Sequence, residues 1–132
     1  MATNELEQIS QYVGQILIPR INYVDLLVKQ GRPFAALVGL RSLIQVLETD
    51  NKEERKQARM WLSRIDAVRR IQATGSASMY ARYNTEALRN RAANQLCDEL
   101  SAEIWIFLHR KGYFSLTGFG RFHDPSGGRK SQ

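Results

Sequence analysis

The chain has 132 residues but only one cysteine, Cys97, and only two histidines. A single cysteine excludes an internal disulfide, and no cysteine or histidine has the spacing of a zinc site. No stretch approaches the roughly 20 apolar residues that cross a bilayer, and the first residues lack the basic and apolar regions of a signal peptide. We therefore expect a cytoplasmic protein that uses no membrane, metal or cofactor.

Motifs for catalysis are absent as well. Glu99 and Glu103 are one helical turn apart, but no Glu-x-x-His motif accompanies them, and a solvated helix face accounts for them. Cys97 has no evident partner histidine and is expected to be a small core residue. The Gly-Phe-Gly at 118–120 lacks the lysine of a phosphate-binding loop. The sequence therefore predicts a protein that is not an enzyme.

Helical periodicity dominates what is present, because apolar residues recur three and four positions apart along most of the chain. Pro19 is expected either to kink the first helix or to begin the second. The pattern predicts an all-α bundle of four to five helices, with one domain over 1–122 and a flexible basic tail over 123–132. The predicted helices cover residues 4–17, 21–30, 33–48, 50–72 and 79–111.

Several local features of these helices are specific enough to check. Asn4 and Asp50 are expected to be N-cap residues, each with a glutamate at the third helical position. The segment 21–30 is apolar around most of its circumference, which predicts more than one covering neighbour. Gly39 is small enough to let another helix approach closely. Gly31 and Gly112 are each expected to end a helix, in the left-handed conformation that glycine adopts there.

The C-terminal stretch from Tyr113 to Phe122 changes character. It reads YFSLTGFGRF, rich in aromatic residues and glycine, and has no helical period. We expect an irregular, partly extended segment that packs on the bundle through its aromatic side chains.

The stretch 50–72 predicts an amphipathic helix whose two faces differ. The stripe expected to face the core consists of Ala58, Trp61, Leu62, Ile65 and Val68. The neighbouring face, an arc of roughly 100°, collects the cations Lys52, Arg55, Lys56, Arg59 and Arg70. The first face docks on the bundle, and the second is left for water or for a partner.

Positive charge is concentrated around this helix. The net charge is +6, and residues 51–91 alone carry ten lysines and arginines against four acidic residues. A localised basic field favours polyanions, of which nucleic acid is the first candidate. The alternative from charge alone is a well-solvated helix face.

A cluster of aromatic and basic residues follows the small, polar run at 74–78. Rings beside arginines are what single-stranded nucleic acid uses for stacking and for phosphate neutralisation. The alternative is that both tyrosines belong to the core or to a subunit interface. The residues of this cluster that we assign to binding are Tyr80, Arg82, Tyr83, Arg89 and Arg91.

These features predict largely sequence-independent binding of single-stranded DNA or RNA by an accessory subunit of a larger nucleoprotein complex. Phosphate contacts of this kind position a protein without reading bases. Partners would be nucleic acid and other protein subunits, among them further copies of this chain. The alternative is a structural or assembly protein, for example of a phage or virus, that acts through helix–helix subunit contacts.

In size, helical content and concentrated basic face, residues 1–111 resemble the small helical subunits of CRISPR effector complexes. Those subunits line a groove for nucleic acid and often stack as several copies. The resemblance implies binding of guide RNA or displaced DNA without catalysis.

A chain that ends at residue 111 is expected to melt at a lower temperature than one that ends at residue 123. Burying each apolar anchor that the shorter chain loses is worth about 1.5–3 kcal/mol. These anchors are Tyr113, Phe114, Leu116, Phe119 and Phe122. Thermal unfolding followed by circular dichroism measures the difference, and equal melting temperatures would contradict a packed aromatic segment.

Overall fold

A computed structural model describes the chain over residues 2–74 and 81–113, and its side chains over residues 5–70 and 88–113. The regular elements are α1 (Ala2–Tyr12), a π-helical turn (Val13–Leu17), α2 (Ile18–Lys29), α3 (Pro33–Gln45), α4 (Lys52–Thr74) and α5 (Ala81–Arg110).

Every regular element in these ranges is helical, and α1, the π-helical turn and α2 follow one another without a break. The described chain therefore forms four helical rods, which confirms the predicted all-α bundle. No described helix combines the length and the apolar character that crossing a bilayer requires. The predicted aromatic segment after Tyr113 and the predicted basic tail lie outside the described residues.

Pro19 lies in the first turn of α2, directly after the π-helical turn. Proline has no backbone N–H to donate, so the usual hydrogen bond at this position is missing. The backbone N–H of Ile18 donates instead to the Val13 carbonyl, five residues back. The Arg20 guanidinium donates to the Ile16 carbonyl at 2.9 Å. The helix thus passes through Pro19 without a break, and because α2 begins at Ile18, Pro19 does not begin a separate helix as the second predicted alternative requires.

Both predicted N-caps are misplaced. Helix α1 already begins at Ala2, so Asn4 lies inside it. At α4 the capping residue is Asn51, whose side-chain oxygen accepts the N–H of Glu54 at 2.9 Å. The Glu54 carboxylate in turn accepts the N–H of Asp50 at 2.7 Å. The capping chemistry is as predicted but begins one residue later, because asparagine caps as well as aspartate does.

The predicted helix ends are largely confirmed. Gly31 and Gly112 both have positive φ, 72° and 77°, which is the left-handed conformation that glycine adopts at little cost. Pro33 is the first residue of α3. That helix ends at Gln45, however, three residues before the predicted end at Glu48.

Helix α3 is the centre of the bundle and packs against α2, α4 and α5. Its approach to α2 is close because Gly39 has no side chain: a Cβ there would lie 3.0 Å from a methyl group of Val24. The predicted role of Gly39 is confirmed. The largest fully buried side chains are Trp61, Leu17, Ile21, Leu27, Leu37, Leu40, Leu43, Ile65, Leu100, Ile104 and Leu108.

Helix α2 is covered on one side only, so the prediction of several covering neighbours is wrong for the described chain. Its buried residues are Ile21, Val24 and Leu27. Its outward side remains largely open: Tyr23 is 54% exposed and Leu26 is 50% exposed. A large apolar surface therefore faces outward from α2.

Tyr12 fastens the end of α1 to the end of α3. Its hydroxyl donates to the Val46 carbonyl at 2.5 Å and accepts the Glu48 N–H at 3.1 Å. The ring of Tyr113 packs edge-on against Tyr12, with 5.8 Å between ring centroids. Burial raises the pKa of both phenols. The Tyr12 hydroxyl thus bonds two backbone groups, the Val46 carbonyl and the Glu48 N–H, that lie just past the end of α3 at Gln45.

Lys111 joins the end of α5 to the beginning of α4. Its ammonium group, on a side chain only 13% exposed, donates to Asp50 and to Glu54. Burial lowers the pKa of Lys111, but the two carboxylates outweigh that effect and leave it raised. The Lys111 ammonium thus joins the end of α5 to the carboxylates at the beginning of α4.

Replacing Trp61 by alanine is expected to lower the free energy of unfolding by about 3–5 kcal/mol, because it opens a cavity in the core. The matched control is Met60→Ala, since Met60 is next to Trp61 on α4 but 57% exposed. Urea unfolding of both variants measures the difference. Similar losses in the two variants would contradict the assignment of Trp61 to the core.

Candidate nucleic-acid interface

The rotation of α4 about its axis is set by two contacts with α5. The indole N–H of Trp61 donates to the Glu103 carboxylate at 2.9 Å, and the Trp61 ring packs edge-on against Phe107. The Arg64 guanidinium bridges Glu103 at 3.0 Å and Glu99 at 2.7 Å. With Trp61 and Ile65 turned inward, the opposite side of α4 faces solvent.

Four cations on that outward side form what we call the basic ridge: Lys52, Arg55, Lys56 and Arg59. All four are exposed. Within the described chain, none of these side chains has a hydrogen bond or an ion pair. At 1.5 Å per residue the ridge spans about 10 Å along the helix. The structure thus places four of the five predicted stripe residues together on one open surface.

Other cations of the bundle are paired where helices meet. Arg41 of α3 donates to Asp66 of α4 at 3.1 Å. Arg64 of α4 binds Glu99 of α5, and Lys111, just past the end of α5, binds Glu54 of α4. The four ridge cations are therefore unpaired in the described chain, whereas these cations between helices are each bonded to a carboxylate.

The ridge lies at the N-terminal end of α4, where the helix dipole is positive. Cations there are unfavourable for helix stability, so helix stability does not explain their presence. The first turn also carries Glu53 and Glu54, of which Glu54 is paired with Lys111. The four ridge cations outnumber these carboxylates, and a local excess of positive charge favours anions.

The remaining predicted residues do not extend the ridge. Arg70 is exposed on α4, but it is engaged in an interaction within the chain, and so is the half-buried Arg89. Arg91 is exposed on α5. Because Glu99 pairs with Arg64, Arg91 lies about 20 Å further along the bundle than Arg59. The side chains that the structure describes therefore do not form one continuous basic track.

Three predicted residues cannot be placed against the ridge. Tyr80 lies outside the described residues. Arg82 and Tyr83 are residues of α5 and their backbone is described, but their side chains are not.

No family model matches this chain, and neither a curated protein nor a solved structure shows significant similarity to it. The candidate interface is therefore assigned from its geometry and charge.

Glu99 and Glu103 lie on a solvent-exposed face of α5, as the sequence predicts, with side chains 44% and 40% exposed, but both carboxylates are also bonded to Arg64. Burial lowers the pKa of Arg64, but its bonds to Glu103 and Glu99 outweigh that effect, and the pKa is raised. The two carboxylates thus share one cation, Arg64. No group of three or more potential metal ligands occurs among the described residues.

Sequence reasoning missed two exposed cations near the predicted site. Arg69 of α4 lies outside the arc that defined the predicted stripe, and Arg110 stands near the end of α5. Arg110 and Lys56 line opposite sides of a cleft of about 530 Å³ between the two helices. The antiparallel pairing of α4 with α5 creates this proximity, which no local pattern in the sequence shows.

Cys97 is a core residue, as predicted. Its thiol is buried and lies 3.6 Å from the Pro33 carbonyl. Burial, with a smaller contribution from Asp98, raises the pKa of the thiol to about 12. The reactive thiolate is therefore scarce at neutral pH, which argues against nucleophilic catalysis at this residue.

The Cys97 thiol is expected to react with a disulfide reagent such as DTNB at pH 8 only when the chain opens. Burial and the raised pKa both suppress reaction in the folded state. The rate of thionitrobenzoate release in buffer is compared with the rate in unfolding concentrations of urea. Rapid reaction of folded protein, at the rate seen in urea, would contradict a buried thiol.

Proposed function

We propose that this protein binds single-stranded DNA or RNA through the basic ridge, without catalysis and with little sequence preference. Its role is that of an accessory subunit in a larger nucleoprotein complex. The observation that carries the proposal is the ridge itself, four exposed cations on two turns of α4 with no anionic partner in the described chain.

Phosphate is the ligand that this geometry suits. Side chains about 10 Å apart along a helix reach several successive phosphates of a nucleic-acid strand. The ridge presents lysine and arginine without aromatic or amide side chains among its four members, so it contacts the backbone and does not read bases. Arg91, Arg82 and the rings of Tyr80 and Tyr83 are proposed to extend the bound strand beyond the ridge.

The accessory role is proposed from the resemblance to small helical subunits of CRISPR effector complexes. A bundle of this size presents only a short basic surface, and four contacts alone bind weakly at physiological salt. Several copies side by side, or neighbouring subunits, lengthen the track and raise the affinity through avidity.

A second candidate function is structural assembly, and the open side of α2 favours it. Exposed apolar surface that is contiguous often marks a protein–protein interface. Tyr23, Leu26 and Val38 are about half exposed, at 54%, 50% and 48%. In this alternative the helices make subunit contacts, and the ridge is a solvated surface.

Reversing the charge of Arg55 and Arg59 to glutamate is expected to reduce binding of a fluorescent 30-nucleotide strand at least tenfold. The matched control is Lys29→Glu with Arg32→Glu, which makes the same change in net charge from exposed positions at the far end of the bundle. Fluorescence anisotropy measures both affinities. Circular dichroism checks that both variants remain folded, as surface substitutions usually allow.

For the wild-type protein, the logarithm of the binding constant should fall with the logarithm of salt concentration by roughly 0.7 per phosphate contact, about 3 for the four ridge cations. If the ridge and control variants bind equally well, the nucleic-acid proposal fails. Light scattering on the same samples then tests assembly, which requires a mass greater than that of one chain.

A further inference from the structure

An apolar groove runs along the outer side of α2 and α3. Its volume of about 610 Å³ lies within the range of about 300–1,000 Å³ that is usual for small-molecule sites. Tyr23 and Val38 line the groove and are about half exposed, so its apolar surface is open to solvent. The other lining residues are Pro19, Arg20, Ala35, Gly39 and Ser42.

Arg20 and Ser42 lie at the same end of this groove. Because α2 and α3 pack on each other across the short link 30–32, they run antiparallel. A Cβ on Gly39 would lie 3.6 Å from a ring carbon of Tyr23, so these two residues are level with each other. Arg20 precedes Tyr23 by three residues and Ser42 follows Gly39 by three. Both are therefore about one helical turn from that contact, in the same direction.

The other end of the groove is apolar. Ala35 lies four residues before Gly39, and Leu26, which is 50% exposed, lies three residues after Tyr23. From Ser42 to Ala35 the groove follows seven residues of α3, or about 10 Å. This length suits a medium-length alkyl chain or an aromatic body of two rings. The groove thus combines one polar end with an apolar body.

The charge of Arg20 is unmatched in the part of the chain that the structure describes. The residue is half-buried and forms no ion pair with a described carboxylate. A guanidinium presents several N–H donors. Arg20 donates to the Ile16 carbonyl at 2.9 Å, but its buried Nε–H has no partner among the described residues. By contrast, the half-buried Arg41 and Arg64 are each bonded to a carboxylate.

We propose that this groove binds a small apolar carboxylate, a free molecule with an alkyl or aryl body. The carboxylate lies at the polar end, where Arg20 supplies charge-assisted hydrogen bonds and the exposed Ser42 supplies a hydroxyl donor. The body lies along Tyr23, Gly39 and Val38, where it removes apolar surface from water.

The chemistry of this groove differs from that of the basic ridge, and the inference does not rest on nucleic-acid binding. A strand of phosphates would meet one cation here and an apolar surface beside it, whereas a monoanion with an apolar body matches both. The inference does compete with the assembly alternative. A bound carboxylate covers Tyr23 and Val38 without a second subunit.

Calorimetric titration of the full-length chain with decanoate, octanoate and decanol tests the inference. Decanoate is expected to bind more tightly than octanoate, by up to about fourfold for each methylene group that leaves water. It should bind roughly tenfold or more tightly than decanol, which has the same alkyl chain without the charge, because hydrogen bonds between charged groups are the stronger ones. Decanoate that does not bind, or that binds no better than decanol, overturns the inference.

Replacing Arg20 by methionine removes the charge and keeps a long side chain. The affinity for decanoate should fall roughly tenfold or more, while the affinity for decanol stays the same. The matched control is Arg32→Met, since Arg32 is exposed and does not line the groove. A comparable loss in the control, or equal losses of decanoate and decanol in Arg20→Met, overturns the inference.

A second variant leaves Arg20 and its bond to the Ile16 carbonyl in place. Val38→Glu adds a carboxylate beside the proposed ligand and should weaken decanoate binding roughly tenfold or more, because like charges repel. The matched control is Met60→Glu, which adds the same charge at a 57% exposed position on α4 and should bind decanoate as the wild type does. Equal affinities in these two variants overturn the inference.

Sedimentation velocity distinguishes a small ligand from a second copy of the chain in the groove. With a small ligand as the occupant, the wild-type chain and Val38→Glu have the same mass in solution. A wild-type dimer that Val38→Glu dissociates overturns the inference and favours subunit contacts through α2.

Discussion

Burial of Trp61 is the constraint on which the surface of this protein depends. The indole fills the core between α4 and α5, and its N–H bonds Glu103, which also binds Arg64. A side chain this large allows one rotation of α4 about its axis, because no other face offers comparable apolar area. With that rotation set, the cations of the basic ridge face solvent and have no anionic partner among the described residues.

Charge and apolar surface are distributed by the same packing. Where helices meet, cations are matched by carboxylates, as in Arg41 with Asp66 and Lys111 with Glu54. Away from these seams, α4 presents unpaired charge, while α2 and α3 present an apolar groove. The two surfaces have different chemistry and lie on different helices, so a ligand of one need not compete with a ligand of the other.

Prediction from sequence succeeded where a local pattern has one structural solution. The amphipathic pattern of α4, glycine at Gly31 and Gly112, and the small residue Gly39 all have the roles expected of them. Prediction from sequence failed where the structure of a segment depends on contacts with residues far away in the chain. The segment 21–30 is apolar on most sides, but how many neighbours cover it is a property of the bundle. Likewise the pairing of the exposed Glu99 and Glu103 carboxylates with Arg64 was not predicted, because Arg64 is 35 residues from Glu99 in sequence.

The sequence by itself determined that the chain is helical, where most helices end, and which face of α4 carries its cations. These properties follow from hydrogen bonding and side-chain spacing within a few residues. Only the tertiary structure decided which cations are paired and which remain open, and where an apolar groove is left. Pairing and exposure depend on the antiparallel register of α4 and α5 and on the approach of α2 to α3, and residues far apart in the chain set both.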